Sequence, residues 1–250
     1  VKSKHYIIIA GVLGTAFMAG SAGAQEAEAE KGFYVGLSGA LAAVQDTDIA
    51  YYDAGGTFGG TGATDRVDGH AELKNAAQFA ATIGYDFGVI RSDVEIAYSR
   101  NRISAIALDR LNGSAVTLTA ADAADVCDYL EIAGCALSGN KISFSGGPKV
   151  RQLSALANVW ADLPIGSVIT PYAGGGLGIA GFELEGDGKA RFAWQLGAGV
   201  HIAVSPHVGI TVDYRHRQAQ GATLPYDAVS GTTIGKIRTN SFGAGLRFTF

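Results

Sequence analysis

Apolar and polar residues alternate with a period of two over segments a dozen or more residues long, whereas strands of water-soluble proteins are usually about 5–6 residues long. Phe79, Ala81, Ile83, Tyr85 and Phe87 are interleaved with Gln78, Ala80, Thr82, Gly84 and Asp86. Val208, Ile210, Val212 and Tyr214 alternate with Gly209, Thr211, Asp213 and Arg215, and Phe242, Ala244, Leu246, Phe248 and Phe250 with Ser241, Gly243, Gly245, Arg247 and Thr249. Successive side chains of a strand point to opposite faces, so each segment has one apolar face and one small or polar face.

The pattern predicts eight strands: Phe33–Val44, Lys74–Phe87, Ile90–Ser104, Val150–Leu163, Ile169–Leu184, Arg191–Val204, Val208–Ala219 and Ile237–Phe250. The connections are long at 45–73, minimal around Gly88, very long at 105–149, short at 164–168, medium at 185–190, tight at Ser205-Pro206-His207 and long at 220–236. Short turns at one end, longer loops at the other and both termini at the short-turn end make the plan of an all-β, eight-stranded antiparallel transmembrane barrel. A soluble sandwich also alternates, but it gathers its large residues into one core. Here the pattern predicts two aromatic groups. Phe33, Tyr85, Phe87, Tyr172, Phe248 and Phe250 fall near the short turns, and Tyr98, Phe182, Trp194, Tyr214 and Phe242 near the long loops. Two belts with aliphatic residues between them suit the two interfaces of a bilayer. Strands four and five leave their faces open, because Leu153, Ala155, Ala157 and Val159 have one parity and Leu156 and Trp160 the other. Glycines crowd Tyr172–Phe182, which weakens the register signal further.

Parity turns Arg91, Asp93 and Glu95, then Asp213, Arg215 and Arg217, and finally Arg247 away from lipid. An Arg facing lipid at mid-depth would cost about 2–4 kcal/mol. Side chains nearly fill the interior of an eight-stranded barrel, so these residues are expected to form an ionic plug rather than line a wide pore.

Lys2 and Lys4 precede an apolar run from Tyr6 to Ala19, and Ala22-Gly23-Ala24 supplies a small-x-small cleavage pattern. Residues 1–24 therefore read as a signal peptide, 25–32 as a short segment and 33–250 as the barrel. The run is shorter than the roughly 20 residues of a spanning helix, and no later one reaches that length. Export places the only two cysteines, Cys127 and Cys135, where pairs oxidise, so a disulfide is expected in the second long loop, where Thr119–Ile132 reads as a short helix. The 36 glycines show no Gly-X-Y period, which excludes collagen. A net charge of -4 without a basic cluster argues against nucleic acid.

Gly32-Phe33-Tyr34-Val35-Gly36, Pro171-Tyr172-Ala173-Gly174-Gly175-Gly176-Leu177-Gly178 and Gly243-Ala244-Gly245-Leu246-Arg247-Phe248-Thr249-Phe250 resemble segments of the small outer-membrane β-barrels of Gram-negative bacteria, the porin-like and opacity-type surface proteins. The resemblance covers essentially the whole chain after the signal. It implies residence in the outer membrane and insertion by the barrel-assembly machinery, which reads a terminal aromatic strand, here ending in Phe250. No peptidoglycan-binding domain is expected after Phe250, unlike in the two-domain members.

Gly176-Leu177-Gly178-Ile179-Ala180-Gly181 satisfies G-x-G-x-x-G, but no helix follows to receive a pyrophosphate. Asp46, Asp48 and Asp53 begin like a calcium loop, yet Ala50 and Tyr51 stand where a ligand and a Gly are needed. Ser241 and His216 have opposite parities, so no nucleophile and base meet. No catalytic, cofactor or metal site is expected. The leading function is a structural or surface-interaction role, with a host or surface ligand met by the loops. The alternatives are a narrow porin-like channel and a lipid-modifying enzyme. Arg100 and Arg102 continue the outward parity of Tyr98, Lys149 and Arg151 share that of Leu153, and His216 and Arg238 extend the outward faces of the last two strands. These six cations at the long-loop end are expected to form a rim that binds lipopolysaccharide phosphates.

Overall fold

The computed structural model describes residues 31–55, 64–132, 134–163, 165, 168–184 and 187–250, and the export signal read at 1–24 lies outside them. The elements are β1 (Gly32–Val44), β2 (Thr47–Asp53), β3 (Asp65–Leu73), β4 (Ala76–Asp86), β5 (Ile90–Leu111), β6 (Ser114–Ala115), α1 (Ala120–Tyr129), β7 (Cys135–Ser138) and β8 (Lys141–Phe144). They continue with β9 (Lys149–Asp162), β10 (Ile169–Leu184), β11 (Asp187–Ser205), β12 (Val208–Ala219), β13 (Ala222–Pro225), β14 (Ser230–Ile234) and β15 (Ile237–Thr249). Eight of them close an antiparallel ring in the order β1-β4-β5-β9-β10-β11-β12-β15. Its two long-range seams are β1–β15, from Tyr34↔Thr249 to Val44↔Thr239, and β5–β9, from Ile90↔Ala161 to Arg102↔Lys149. Among the described residues no helix is long and apolar enough to cross a membrane; crossing falls to the strands.

The outer face carries Phe79, Ile83, Leu177, Leu196 and Leu246, all exposed, while Glu95 and Arg247 are buried inside. Strand β9 resolves the ambiguous parity. Leu153 and Val159 are 56% and 57% exposed, and Leu156 and Trp160 only 1% and 2%. At the short-turn end the Phe33 ring meets Tyr85 edge-on at 4.9 Å, and Phe87 lies 4.8 Å from Tyr85. At the other end Phe79 stands opposite Tyr98 and Tyr214 opposite Phe242. Two aromatics expected in the belts face inward instead. Tyr172 is buried in the lumen, and Phe182 packs on the buried residues Leu156, Ala180, Ala193 and Ala219. Glycines occupy both parities of β10, so the sequence did not mark which side was open.

The large interior rings each face a glycine across a strand pair: Tyr34↔Gly84, Trp160↔Gly174 and Tyr172↔Gly199. A Cβ on Gly84 would lie 2.7 Å from Tyr34 Cζ, and one on Gly199 2.9 Å from Tyr172 Cζ. Glycine at these positions lets a ring lie flat across the narrow interior.

The long connections, expected to be loops, are largely sheet. The ring wall continues beyond the membrane as β13-β14-β2-β3-β5, with β8 and β7 on the other side of β5. Strand β5 extends past the expected end at Ser104 to Leu111, and β11 begins at Asp187 rather than Arg191. Along β5 the buried inward row runs from Arg91 through Asn101 and on to Ile103, Ala105 and Ala107. Register shifts against β3 fall at Ser104 and Asp109, bulges that bend the wall. Helix α1 is capped by Thr119, whose Oγ1 accepts from Asp122 N while Asp122 accepts from Thr119 N. Its Ala123 and Cys127 bury against Ala71, Ile103, Ile142 and Phe144, and Cys127 is disulfide-bonded to Cys135. The outer sheet therefore has a small core of its own.

Candidate functional site

The inward faces of the ring strands stack their charges in layers. Nearest the short turns Arg247 pairs with Asp86, and Arg91 holds Asp162 through Nε at 2.6 Å and Nη2 at 2.9 Å. Above them Asp93 accepts from Tyr34 Oη at 2.7 Å, Trp160 Nε1 at 2.9 Å and Asn158 Nδ2 at 2.7 Å. Tyr172 Oη donates to Asp213 at 2.8 Å. The next layer centres on Glu95, which pairs with Arg215 and accepts from Arg217 Nη2 at 2.9 Å. Arg215 also grips Asp213 at 2.9 and 3.0 Å. Arg217 reaches Gln195 at 3.1 Å, and Gln195 donates to Asn158 at 2.7 Å.

Guanidinium groups lie over the rings as well: Arg247 on Tyr34 at 4.6 Å, Arg91 on Tyr172 at 4.7 Å and Arg215 on Trp160 at 5.3 Å. Buried charges persist when partners and hydrogen bonds offset their desolvation. Here four arginines meet five carboxylates, and every carboxylate has a donor. A void of about 40 Å³ remains between Tyr34, Arg91, Asp93, Trp160, Tyr172 and Arg247. By volume that is room for a few waters. Toward the loops Leu156, Ala180, Ala193 and Ala219 are buried together on the inner side of β9–β12.

The six rim cations fall into two separate groups. On the outward face of the β5–β9 seam Arg100 stands opposite Arg151, and Arg102 opposite Lys149. Arg151 Nη1 donates to Glu183 at 2.8 Å. The other two lie on β12 and β15, where His216 bonds Asn240 at 2.8 Å beside Trp194, and Arg238 donates to Gln218 at 3.2 Å.

The sequence profile of the outer membrane protein beta-barrel domain matches residues 12–250. The chain belongs to that family. Among solved structures, the barrel is similar to outer membrane protein OprG from Pseudomonas aeruginosa, at 14% identity and a TM-score of 0.52, over 88% of this chain and 97% of that one. It is also similar to Neisserial surface protein A, at 17% identity and a TM-score of 0.47, over 87% and 97%. At 14% identity the likeness to OprG shows a shared fold. A search of curated protein sequences finds no match. The protein is a β-barrel of the Gram-negative outer membrane.

Within this outer-membrane barrel, several lumen residues escaped the sequence reading. Asp86 and Asp162, the partners of Arg247 and Arg91, sit at strand ends next to turns, where a carboxylate ordinarily reads as solvated. Tyr34, Asn158, Trp160, Tyr172 and Gln195 carry the hydrogen bonds between layers. Their inward parity was legible on β1 and β11 but hidden on β9 and β10. Gly176–Gly181 lies inside β10, with no helix after it, and Gly176 faces Asn158. Ser241 is buried inside, whereas His216 bonds Asn240, its cross-strand neighbour on β15. Among the described residues no group of three His, Cys, Asp or Glu side chains is placed to hold a metal.

Proposed function

We propose that this outer-membrane barrel is a surface-interaction protein without enzymatic activity, in which a stoppered ring anchors an ordered outer sheet that meets a host or surface ligand. The observation that carries the reading is the contrast between the two halves. The lumen is filled by paired charges and rings around a void of about 40 Å³, while the outer connections fold into a continuous sheet with a disulfide-stapled helix and a core of their own. An ordered surface loses little conformational entropy when it binds, the usual benefit of preorganisation. Export through residues 1–24 and assembly through the terminal strand belong to the same proposal. Phe250 N donates to Phe33 O at 2.8 Å, so the chain's last residue extends the β1–β15 seam.

Planar-bilayer recording tests the stoppered lumen. The reconstituted barrel should show no steps of general-porin size, and large stable steps would overturn the proposal in favour of a channel. Release of fatty acid or transfer of an acyl chain from added lipid would instead favour an enzyme.

A further inference from the structure

We propose that the outward β5–β9 rungs Arg100–Arg151 and Arg102–Lys149 form a binding site for the phosphate groups of an outer-leaflet lipid, lipopolysaccharide in this membrane. The β5–β9 register places like charges directly opposite one another, an arrangement that destabilises a strand pair unless an anion intervenes. Four cations face one carboxylate, Glu183, which is bonded to Arg151 alone. Arg102 reaches only the Ser145 carbonyl, at 3.5 Å. Among the described residues the side chains of Arg100 and Lys149 make no hydrogen bond or ion pair. The inward side of the same rungs holds Ser99, Asn101 and Gln152, which bond one another, so the cations do not serve the lumen.

Position names the ligand. Tyr98 and Leu153, one step below Arg100 and Arg151 on the outward face, are 41% and 56% exposed and end the apolar band. A molecule that fills the rungs also lies against that band, which requires phosphate joined to acyl chains. Consecutive outward rungs are spaced about 7 Å along the strands, and each guanidinium presents a fork to phosphate oxygens. The β12–β15 cations lack this arrangement, because His216 and Arg238 are occupied by Asn240 and Gln218.

The test uses the full chain in phosphatidylcholine nanodiscs, with or without diphosphorylated lipid A, comparing the native protein with Arg100→Gln/Arg151→Gln, Arg100→Lys/Arg151→Lys and Arg238→Gln. Retained lipid A, measured by mass spectrometry, should fall about tenfold in the Gln pair and be largely kept in the Lys pair and in Arg238→Gln. Without lipid A the Gln pair should unfold at the same temperature as the native barrel or higher, since it relieves repulsion. Millimolar inorganic phosphate should not displace the lipid. Equal retention by the Gln pair and the native protein, displacement by free phosphate, or a Gln pair less stable without lipid A would overturn the proposal.

Discussion

Arg91 and Asp162 clasp each other across the β5–β9 seam, with both guanidinium bonds under 3 Å and both side chains buried. These two strands are separated in sequence by the whole outer segment between Leu111 and Lys149, so the pair latches ring closure from within. Asp162→Asn strands a buried guanidinium and should lower stability by about 3 kcal/mol. Arg91→Met with Asp162→Leu removes both charges and should recover much of that loss. Urea titration of the heat-modifiable gel band reads both outcomes.

Gly199 faces the Tyr172 ring, and a Cβ there would also lie 2.6 Å from Asp213 Cβ. Gly199→Ala should therefore cost about 1–3 kcal/mol through overpacking. Gly39, whose Cβ would meet nothing within 4 Å, is the matched control. Gly39→Ala should leave the folded fraction unchanged in the same refolding assay.

The Cys127–Cys135 bridge closes a segment of sequence separation 8, and constraining a loop of that size is worth about 2.5 kcal/mol in the chain-entropy account. Cys127→Ala with Cys135→Ala should expose α1 and its neighbours to protease. The gel shift between boiled and unboiled barrel should persist, because the ring's hydrogen bonds do not depend on the staple. Limited proteolysis of reconstituted protein, followed by the gel, separates the two effects.

Outside the membrane two carboxylates are held below their ordinary range: Asp122 by hydrogen bonds from the Thr119 backbone and side chain, and Asp227 by those from Val229 and Ser230. A depressed folded value means a stabilising contribution present above the unfolded value, near pH 4, and lost as pH falls through the folded one. Proteolytic protection of α1 and of the β13–β14 turn should be flat from pH 7 to about 5 and decline only below about pH 4. Thr119→Ala should weaken protection of α1 at pH 7 and leave the β13–β14 turn unaffected.

Alternation made the ring strands legible because a bilayer enforces one apolar face over their full membrane depth. Where that enforcement stops, so does the signal. Strand β2 carries Asp and Tyr on both faces and β14 carries Thr on both, and nothing in Thr47–Asp53 or Ser230–Ile234 distinguishes a solvated strand from a loop. Lumen charge was readable on β5 and β12 from parity. On β9 large apolar residues stand at both parities, and on β10 glycine and alanine do, so Trp160 and Tyr172 were not placed in the interior. The rim cations were found by the same parity rule, but their division into a crowded seam and a satisfied pair depends on the β5–β9 register, which no single strand contains.

Strand β5 is 22 residues long, about 70 Å of chain at the usual rise, and roughly ten residues suffice to cross a membrane. Its outer half is thus a shaft rooted in the lumen, sharing one inward row of side chains with Arg91 and Glu95. Inserting or deleting a single residue there would rotate every position beyond it to the opposite face, burying water-facing side chains and exposing Ile103, Ala105 or Ala107. An exposed surface built this way is free to vary by exchange of outward side chains and by lengthening its tip turns, but not by slippage of the shaft. Change in the outer sheet is thereby steered toward substitution along the wall and insertion at its crest.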